Sequence, residues 1–170
     1  RVISKPNAVV RHSSDTSTGR DFLLLDLWEP HMLGEDYIES VVELLNHFGV
    51  REYCRIGGMY DSVPHTRPLP VTGSLTPEQT ERAGSLVSQR GRGYQGPTSI
   101  LSLVPEMLDD SKVTTTSLMV HMPHYVQLDD DHTGASRLLE VLCTMYGFPR
   151  SLSDTRRGQQ QYREISRAAE

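Results

Sequence analysis

Apolar positions recur along the chain at two alternating spacings. Phe22 to Trp28 is near-continuously apolar with Asp26 the only charge, a run of strand length that predicts a buried strand. The polar segment before it, Ser13 to Arg20, reads as a turn between two extended segments. Over 35–48 the period changes: Tyr37, Ile38, Val41, Val42, Leu44, Leu45 and Phe48 recur every three or four residues. That spacing predicts an amphipathic helix, and Gly49 supplies its stop. Val50 to Ile56 reads as a short strand running into a loop at Gly57-Gly58. Strand, helix and strand in succession predict a crossover unit, right-handed if the strands are parallel.

The alternation continues to the C-terminus. Pro68 to Gly73 contains two prolines, so it is expected as an edge strand or an extended loop, since proline donates nothing to a central ladder. Thr76-Pro77-Glu78-Gln79 carries the marks of a helix start: a hydroxyl cap, proline at the first position and glutamine three residues after the cap. Gly84 should end that helix. Residues 88–96 hold Gly91, Gly93 and Gly96 among polar residues and read as a mobile loop. Gly96-Pro97-Thr98 opens a helix through about Leu108, and Val113 to Val120 is a strand rich in β-branched residues. Asp129-Asp130-Asp131 precedes a helix from Thr133 to Tyr146, where carboxylates complement the dipole and cap the first turn. A calcium loop would need further spaced oxygen ligands and a distal glutamate, which the sequence lacks. A polar helix from about Ser153 is expected to pack peripherally or against a partner. The pattern predicts an α/β fold with a largely parallel sheet, with a core domain over 1–150 and a peripheral C-terminal helix over 151–170.

Composition narrows the function classes. The 170 residues carry a formal charge of −5, which argues against nonspecific nucleic-acid binding, because that binding rests on neutralising phosphates. No apolar run approaches the roughly 18 residues of a membrane span, and no N-terminal stretch has the apolar core of a signal peptide. Cys54 and Cys143 are the only cysteines; without CxxC spacing and within apolar runs they read as buried thiols, and cytoplasm is the expected compartment. The phosphate-binding patterns GxxxxGK[ST] and strand-following GxGxxG do not occur, and no cofactor is expected.

Candidate chemistry concentrates in two proline- and histidine-containing segments that close apolar runs. Pro64-His65-Thr66-Arg67-Pro68 holds an imidazole, a hydroxyl and a guanidinium between two rigid residues. His121-Met122-Pro123-His124-Tyr125 closes the later strand. Loops at strand ends are where binding and chemistry gather, so the two segments read as two lips of one surface site. Arg67 could clamp a carboxylate or phosphate, and His65 or His124 could move a proton near neutral pH. The alternative is a rigid loop whose polar groups satisfy the backbone and a carboxylate such as Glu29 or Asp61. Gly96, Thr98 and Ser99 at a helix start offer backbone N–H groups and hydroxyls to an anion, or plain capping. His121 and His124, three apart on an extended segment, point to opposite faces and do not make a metal site. Ser62 and Asp61 lie near His65 in sequence, which is not a triad without geometry.

Several of these segments together carry a family resemblance. Gly57-Gly58 followed by Val63-Pro64-His65-Thr66-Arg67-Pro68 and Val71-Thr72-Gly73 resembles the signature of the proteasome assembly chaperone 2 family. So do Tyr94-Gln95-Gly96-Pro97-Thr98-Ser99-Ile100, Ser117-Leu118-Met119-Val120 running into Pro123-His124-Tyr125-Val126, and Trp28-Glu29-Pro30. The likeness runs in order from about residue 1 to 165 and is greatest to the bacterial branch. The resemblance implies a three-layer α/β/α sandwich like that of phosphorylases and peptidyl-hydrolase-like enzymes. It also implies that a βα unit usual upstream of Arg1 is absent, which would leave a sheet edge or core face seeking a partner. Eukaryotic and archaeal relatives escort proteasome α subunits, some through a C-terminal hydrophobic-Tyr-any tail; this chain ends Ser166-Arg167-Ala168-Ala169-Glu170 without it. The expected function is a non-enzymatic protein–protein interaction or assembly module, homo-oligomeric and with a possible protein client. The alternative is a small-anion-binding hydrolase- or phosphorylase-like enzyme with Arg67 as the anion clamp, His65 or His124 as acid/base, Glu29 as orienter and Gly96, Thr98, Ser99 and Tyr125 lining the ligand. An enzyme requires His65, Arg67 and His124 to converge in one concave pocket; an interaction module does not.

Overall fold

A computed structural model describes residues 8–15, 19–89, 99–108 and 112–168. The chain divides into two compact units, one formed by Arg1–Gly49 with Gly96–Leu108 and the other by Val50–Gln95 with Asp109–Glu170.

In the first unit the apolar run becomes one arm of a hairpin. β1 (Val9–Asp15) and β2 (Arg20–Asp26) pair antiparallel, with Val9 opposite Asp26 and Asp15 opposite Arg20. Gly19 supplies the left-handed φ of +67° that the turn requires. The strand is not buried as expected: Leu24 is 55% exposed and no residue of β2 is fully buried, since a two-stranded ribbon has too few strands to bury its faces by itself. β2 also shares no sheet with the strand that follows α1, so the expected crossover between paired strands does not form. The helix α1 (Gly34–His47) matches its period, burying Ile38, Val41 and Leu45, and Gly49 adopts the left-handed φ of +61° just beyond it. The helix expected up to Leu108 is broken into a 3-10 turn at Ile100–Leu103 and a short α3 (Val104–Met107). Pro105 has no N–H to continue the turn and crowds the carbonyl four residues back, so the α-helix begins afresh there. Gly96, Pro97 and Thr98 lie outside the described residues, as does most of the loop expected at 88–96.

The second unit holds a mixed sheet of β3 (Glu52–Asp61), β4 (Val71–Ser74), β5 (Ser88–Gln89) and β6 (Thr114–Pro123), in the order β3-β6-β4-β5. β3–β6 and β4–β5 are parallel and β4–β6 antiparallel. Three expectations change here. β3 does not stop at Gly57-Gly58 but runs through both, opposite Met119 and Val120. A Cβ on Gly58 would lie 2.8 Å from Met122 Cε, so glycine lets a neighbouring methionine lie over the strand. β6 likewise continues through His121-Met122-Pro123, which places much of the second histidine segment in the sheet. β4 is an interior strand rather than an edge, because both prolines precede it. The Pro70 carbonyl even accepts the His121 N–H at 2.9 Å, and the ladder proper begins at Val71.

The predicted helix start is present in full. Thr76 Oγ1 accepts the Gln79 N–H and Gln79 Oε1 accepts the Thr76 N–H, opening α2 (Pro77–Ala83), and Gly84 ends it at a φ of +56°. Asp131 Oδ1 accepts the Gly134 N–H at 2.7 Å and caps α4 (His132–Tyr146), which Gly147 closes at a φ of +77°. The core gathers Leu69, Val71, Leu118, Val120, Val141 and Met145. The C-terminal helix α5 (Arg156–Ala168), expected at the periphery, packs on α4 and places Tyr162 in that core at 5% exposure. Its hydroxyl donates to the Asp131 carboxylate. No described helix is long and apolar enough to cross a membrane.

Candidate functional site

The Pro64–Pro68 loop follows β3 and is tied to two distant parts of the second unit through His65. The His65 backbone N–H donates to Tyr125 Oη at 3.0 Å, and His65 Nδ1 lies 2.9 Å from the same oxygen. His65 Nε2 lies 3.0 Å from Ser166 Oγ on α5. Ser166 Oγ in turn donates to the Tyr162 carbonyl at 3.1 Å. With the ring proton on Nε2, every donor in this chain has an acceptor: Tyr125 O–H to Nδ1, Nε2–H to Ser166, Ser166 O–H to the α5 backbone. Both ring nitrogens are spent on bracing. The loop and α5 together enclose a shallow depression of about 290 Å³, into which Thr66 and Arg67 come from the loop and Arg163 from the helix.

His124 does not line this depression. Its N–H donates to the Asp61 carbonyl at 3.1 Å and its Nδ1 approaches the same oxygen at 3.2 Å. The ring stands edge-on to Tyr125, centroids 5.5 Å apart. Asp61, one of two carboxylates considered for Arg67, is instead engaged by a residue the sequence reading set aside. His121 Nδ1 lies 2.7 Å from Asp61 Oδ2, and His121 Nε2 lies 2.9 Å from Thr72 Oγ1. This Asp61–His121–Thr72 chain links the ends of β3, β6 and β4 side by side. It was hidden in the sequence because its members are about 10 and 50 residues apart and meet only through the sheet order.

The His121 hydrogen bond, then the Ser62 N–H, hold the Asp61 carboxyl below the usual carboxylate range. A depressed native pKa stabilises the fold above the unfolded-state value and is lost as pH falls through the native one. Asp61 is 43% exposed, so the contribution is in the range of a screened surface pair. Asp61→Asn should therefore cost roughly 0.5–1 kcal/mol at neutral pH. The difference from wild type should vanish well below pH ~4, and urea unfolding at the two pH values checks it.

The remaining expected residues fall elsewhere. Glu29 and Ser99 belong to the first unit; Ser99 Oγ accepts the Leu101 N–H at 3.2 Å and caps the 3-10 turn. Gly96 and Thr98 lie outside the described residues. Tyr125 is beside the loop and 54% exposed, with its hydroxyl committed to His65. Among the described residues no three histidine, cysteine or carboxylate side chains gather as metal ligands. Cys54 and Cys143 are free thiols, and burial pushes the Cys54 thiol up to about 11, which keeps it protonated rather than nucleophilic.

Known proteins bear on this fold. A protein of unknown function from Corynebacterium glutamicum superposes with a TM-score of 0.81 at 23% identity, over 99% of this chain and 61% of its own. A Mycobacterium tuberculosis proteasome-assembly chaperone homologue gives 0.76 at 22% identity, over 93% of this chain and 66% of its own. An archaeal proteasome activator from Pyrococcus furiosus gives 0.69 at 17% identity, over 100% of this chain and 77% of its own. The chain thus spans less than two thirds of the length of the two bacterial proteins. No curated protein matches. The sequence profile of the PAC2 family matches residues 1–169. The mixed α/β sheet, the ordered motifs and that match lead to one conclusion: this chain belongs to the PAC2 family.

Proposed function

We propose that this chain is a protein–protein interaction or assembly module, acting through contact with other protein chains rather than through catalysis. The observation that carries this reading is the outer side of β3. Among the described residues β3 pairs only with β6, so a ten-residue strand leaves one edge open. Ile56, Gly58 and Tyr60 share one face of that strand, with Ile56 51% and Tyr60 50% exposed. An open edge flanked by apolar side chains is a template for another chain. Support also comes from the proteasome-assembly and proteasome-activator descriptions of the structural relatives, which make a proteasome core subunit the first client to test. A second copy of this chain is the first self-partner to test. The three-layer α/β/α arrangement of phosphorylases and hydrolases is part of the same reading, supported by the mixed sheet and its packed helices. The free thiols fit a cytoplasmic setting.

What weighs against the enzyme alternative is that both ring nitrogens of His65 have partners in the fold and that His124 does not line the depression. The deciding experiment is sedimentation velocity across the micromolar range, alone and with proteasome core subunits. Wild-type protein should associate with itself or with the core subunits. The pair Ile56→Asp and Tyr60→Asp should abolish that association at unchanged melting temperature. A wild-type protein that stays monomeric and ignores the core subunits overturns the reading.

A further inference from the structure

We infer that the depression between the Pro64–Pro68 loop and α5 is a binding site for a phosphate group, free or carried on a small phosphomonoester. Arg67 and Arg163 both line it. Neither guanidinium has a carboxylate within ion-pair range among the described residues. No acidic side chain lines the depression at all. Two carboxylates bonded to or beside the lining residues are already engaged: Asp131 by the Tyr162 hydroxyl and the Gly134 N–H, and Asp154 by the Gln159 amide. Two unneutralised guanidiniums facing one hollow are unexpected in a chain whose net charge is −5. Like charges held together without a counter-charge cost free energy, and a bound anion removes that cost.

The chemistry selects a phosphate over a simple cation or an apolar ligand. Two planar guanidiniums present paired donors that match phosphate oxygens, and Thr66 adds a hydroxyl at the rim. The volume of about 290 Å³ lies near the lower end of small-molecule pockets, roughly 300–1,000 Å³. It therefore has room for a small group beyond the phosphate. The two walls are held at a set distance by the His65–Ser166 bond, and α5 is fixed from behind by Tyr162 in the core. The cationic groups are thus carried on a braced frame rather than on two independent surface segments. His65 positions the wall and touches no ligand in this assignment. The inference is independent of the assembly role, and either can fail without the other.

The test is isothermal titration calorimetry at low ionic strength with inorganic phosphate, with glycerol phosphate, and with glycerol as the uncharged control. Saturable binding of phosphate, glycerol phosphate or both is expected, with none for glycerol. Tighter binding of glycerol phosphate identifies a phosphomonoester as the ligand, and equal or tighter binding of inorganic phosphate identifies the free ion. Arg67→Gln and Arg163→Gln should each weaken binding about tenfold or more, a charge-assisted pair's worth. Arg150→Gln, outside the depression, should leave it unchanged. Both lining arginines are exposed, so circular dichroism should report a native fold in each variant. Absence of saturable binding by both anions, or an equal loss in the Arg150 variant, overturns the inference.

Discussion

Replacing Gln79 with alanine should destabilise the second unit by about 3 kcal/mol or more, because one side chain completes both a helix cap and a buried polar network. Gln79 is 1% exposed. Its Oε1 accepts the Thr76 N–H at 2.9 Å, closing the capping box. Its Nε2 donates to Glu52 Oε1 at 2.7 Å and to Thr116 Oγ1 at 2.5 Å. Glu52 Oε1 also accepts the Tyr146 hydroxyl at 2.6 Å. Burial, with Cys54 and Glu52 beside it, pushes that hydroxyl's pKa up, so it stays a donor. Removing the amide leaves the Glu52 carboxylate short of a donor, the Thr116 hydroxyl short of a partner and a void beneath α2. The buried Thr116 hydroxyl left without its partner costs about 1–3 kcal/mol, the cap about 1 kcal/mol more, and the void adds to both. Glu52, 30% exposed and still holding the Tyr146 hydroxyl, adds little. Against a domain stability of roughly 5–15 kcal/mol, the variant should show a much lower urea midpoint. Thr116→Val removes a single bond and should cost markedly less. A Gln79→Ala loss below that of Thr116→Val would mean the network contributes little.

Gly158→Val should separate α5 from α4 and cost about 2–3 kcal/mol by overpacking. The glycine is required by approach rather than by backbone conformation. A Cβ there would lie 1.9 Å from Ser136 Oγ and 2.7 Å from Ser136 Cβ. Rotating the serine hydroxyl away cannot relieve the second contact. The helix pair is also pinned beside this point: Thr133 Oγ1 donates to the Gly158 carbonyl at 3.0 Å, and Ser136 Oγ lies 3.0 Å from Thr155 Oγ1, which in turn accepts the Gly158 N–H at 3.1 Å. Pushing α5 outward would carry Arg163 and Ser166 with it and break the His65 brace. The variant should therefore lose stability and phosphate binding together. Ser136→Gly, introduced second, should recover part of both, and a double-mutant cycle reads the coupling. Strictly additive losses would show that the two residues are not in steric contact.

Local patterns were legible wherever neighbours in sequence supply the physics. The α1 period, the Thr76–Gln79 capping box, the Asp131 cap and the glycine stops at 49, 84 and 147 all depend on groups within four residues, and all appear where the spacing puts them. The turn expected over 13–20 is narrower than its polar run: Ser13 to Asp15 pair within β1 and Arg20 within β2. The Pro64–Pro68 loop was legible as a site of interest because two prolines around polar groups mark a rigid segment. Its partner was not: Ser166 lies 101 residues from His65. The only hint was that Tyr162 and Ser166 share a face of α5 at four-residue spacing.

By itself the amino-acid sequence determined most of the element types, the ends of α1, α2 and α4, an α/β class and, through its ordered motifs, the family. Tertiary structure alone decided that β2 joins a hairpin, that β4 is interior, that Gly57-Gly58 sits within a strand and that α5 sends Tyr162 into the core. It also decided that Asp61 serves His121 rather than Arg67. The division has one cause. Hydrogen-bonding and rotamer preferences act over a few residues and are written in the local pattern. Strand order, close approach and the pairing of distant charges depend on which surfaces meet, and no local preference specifies that.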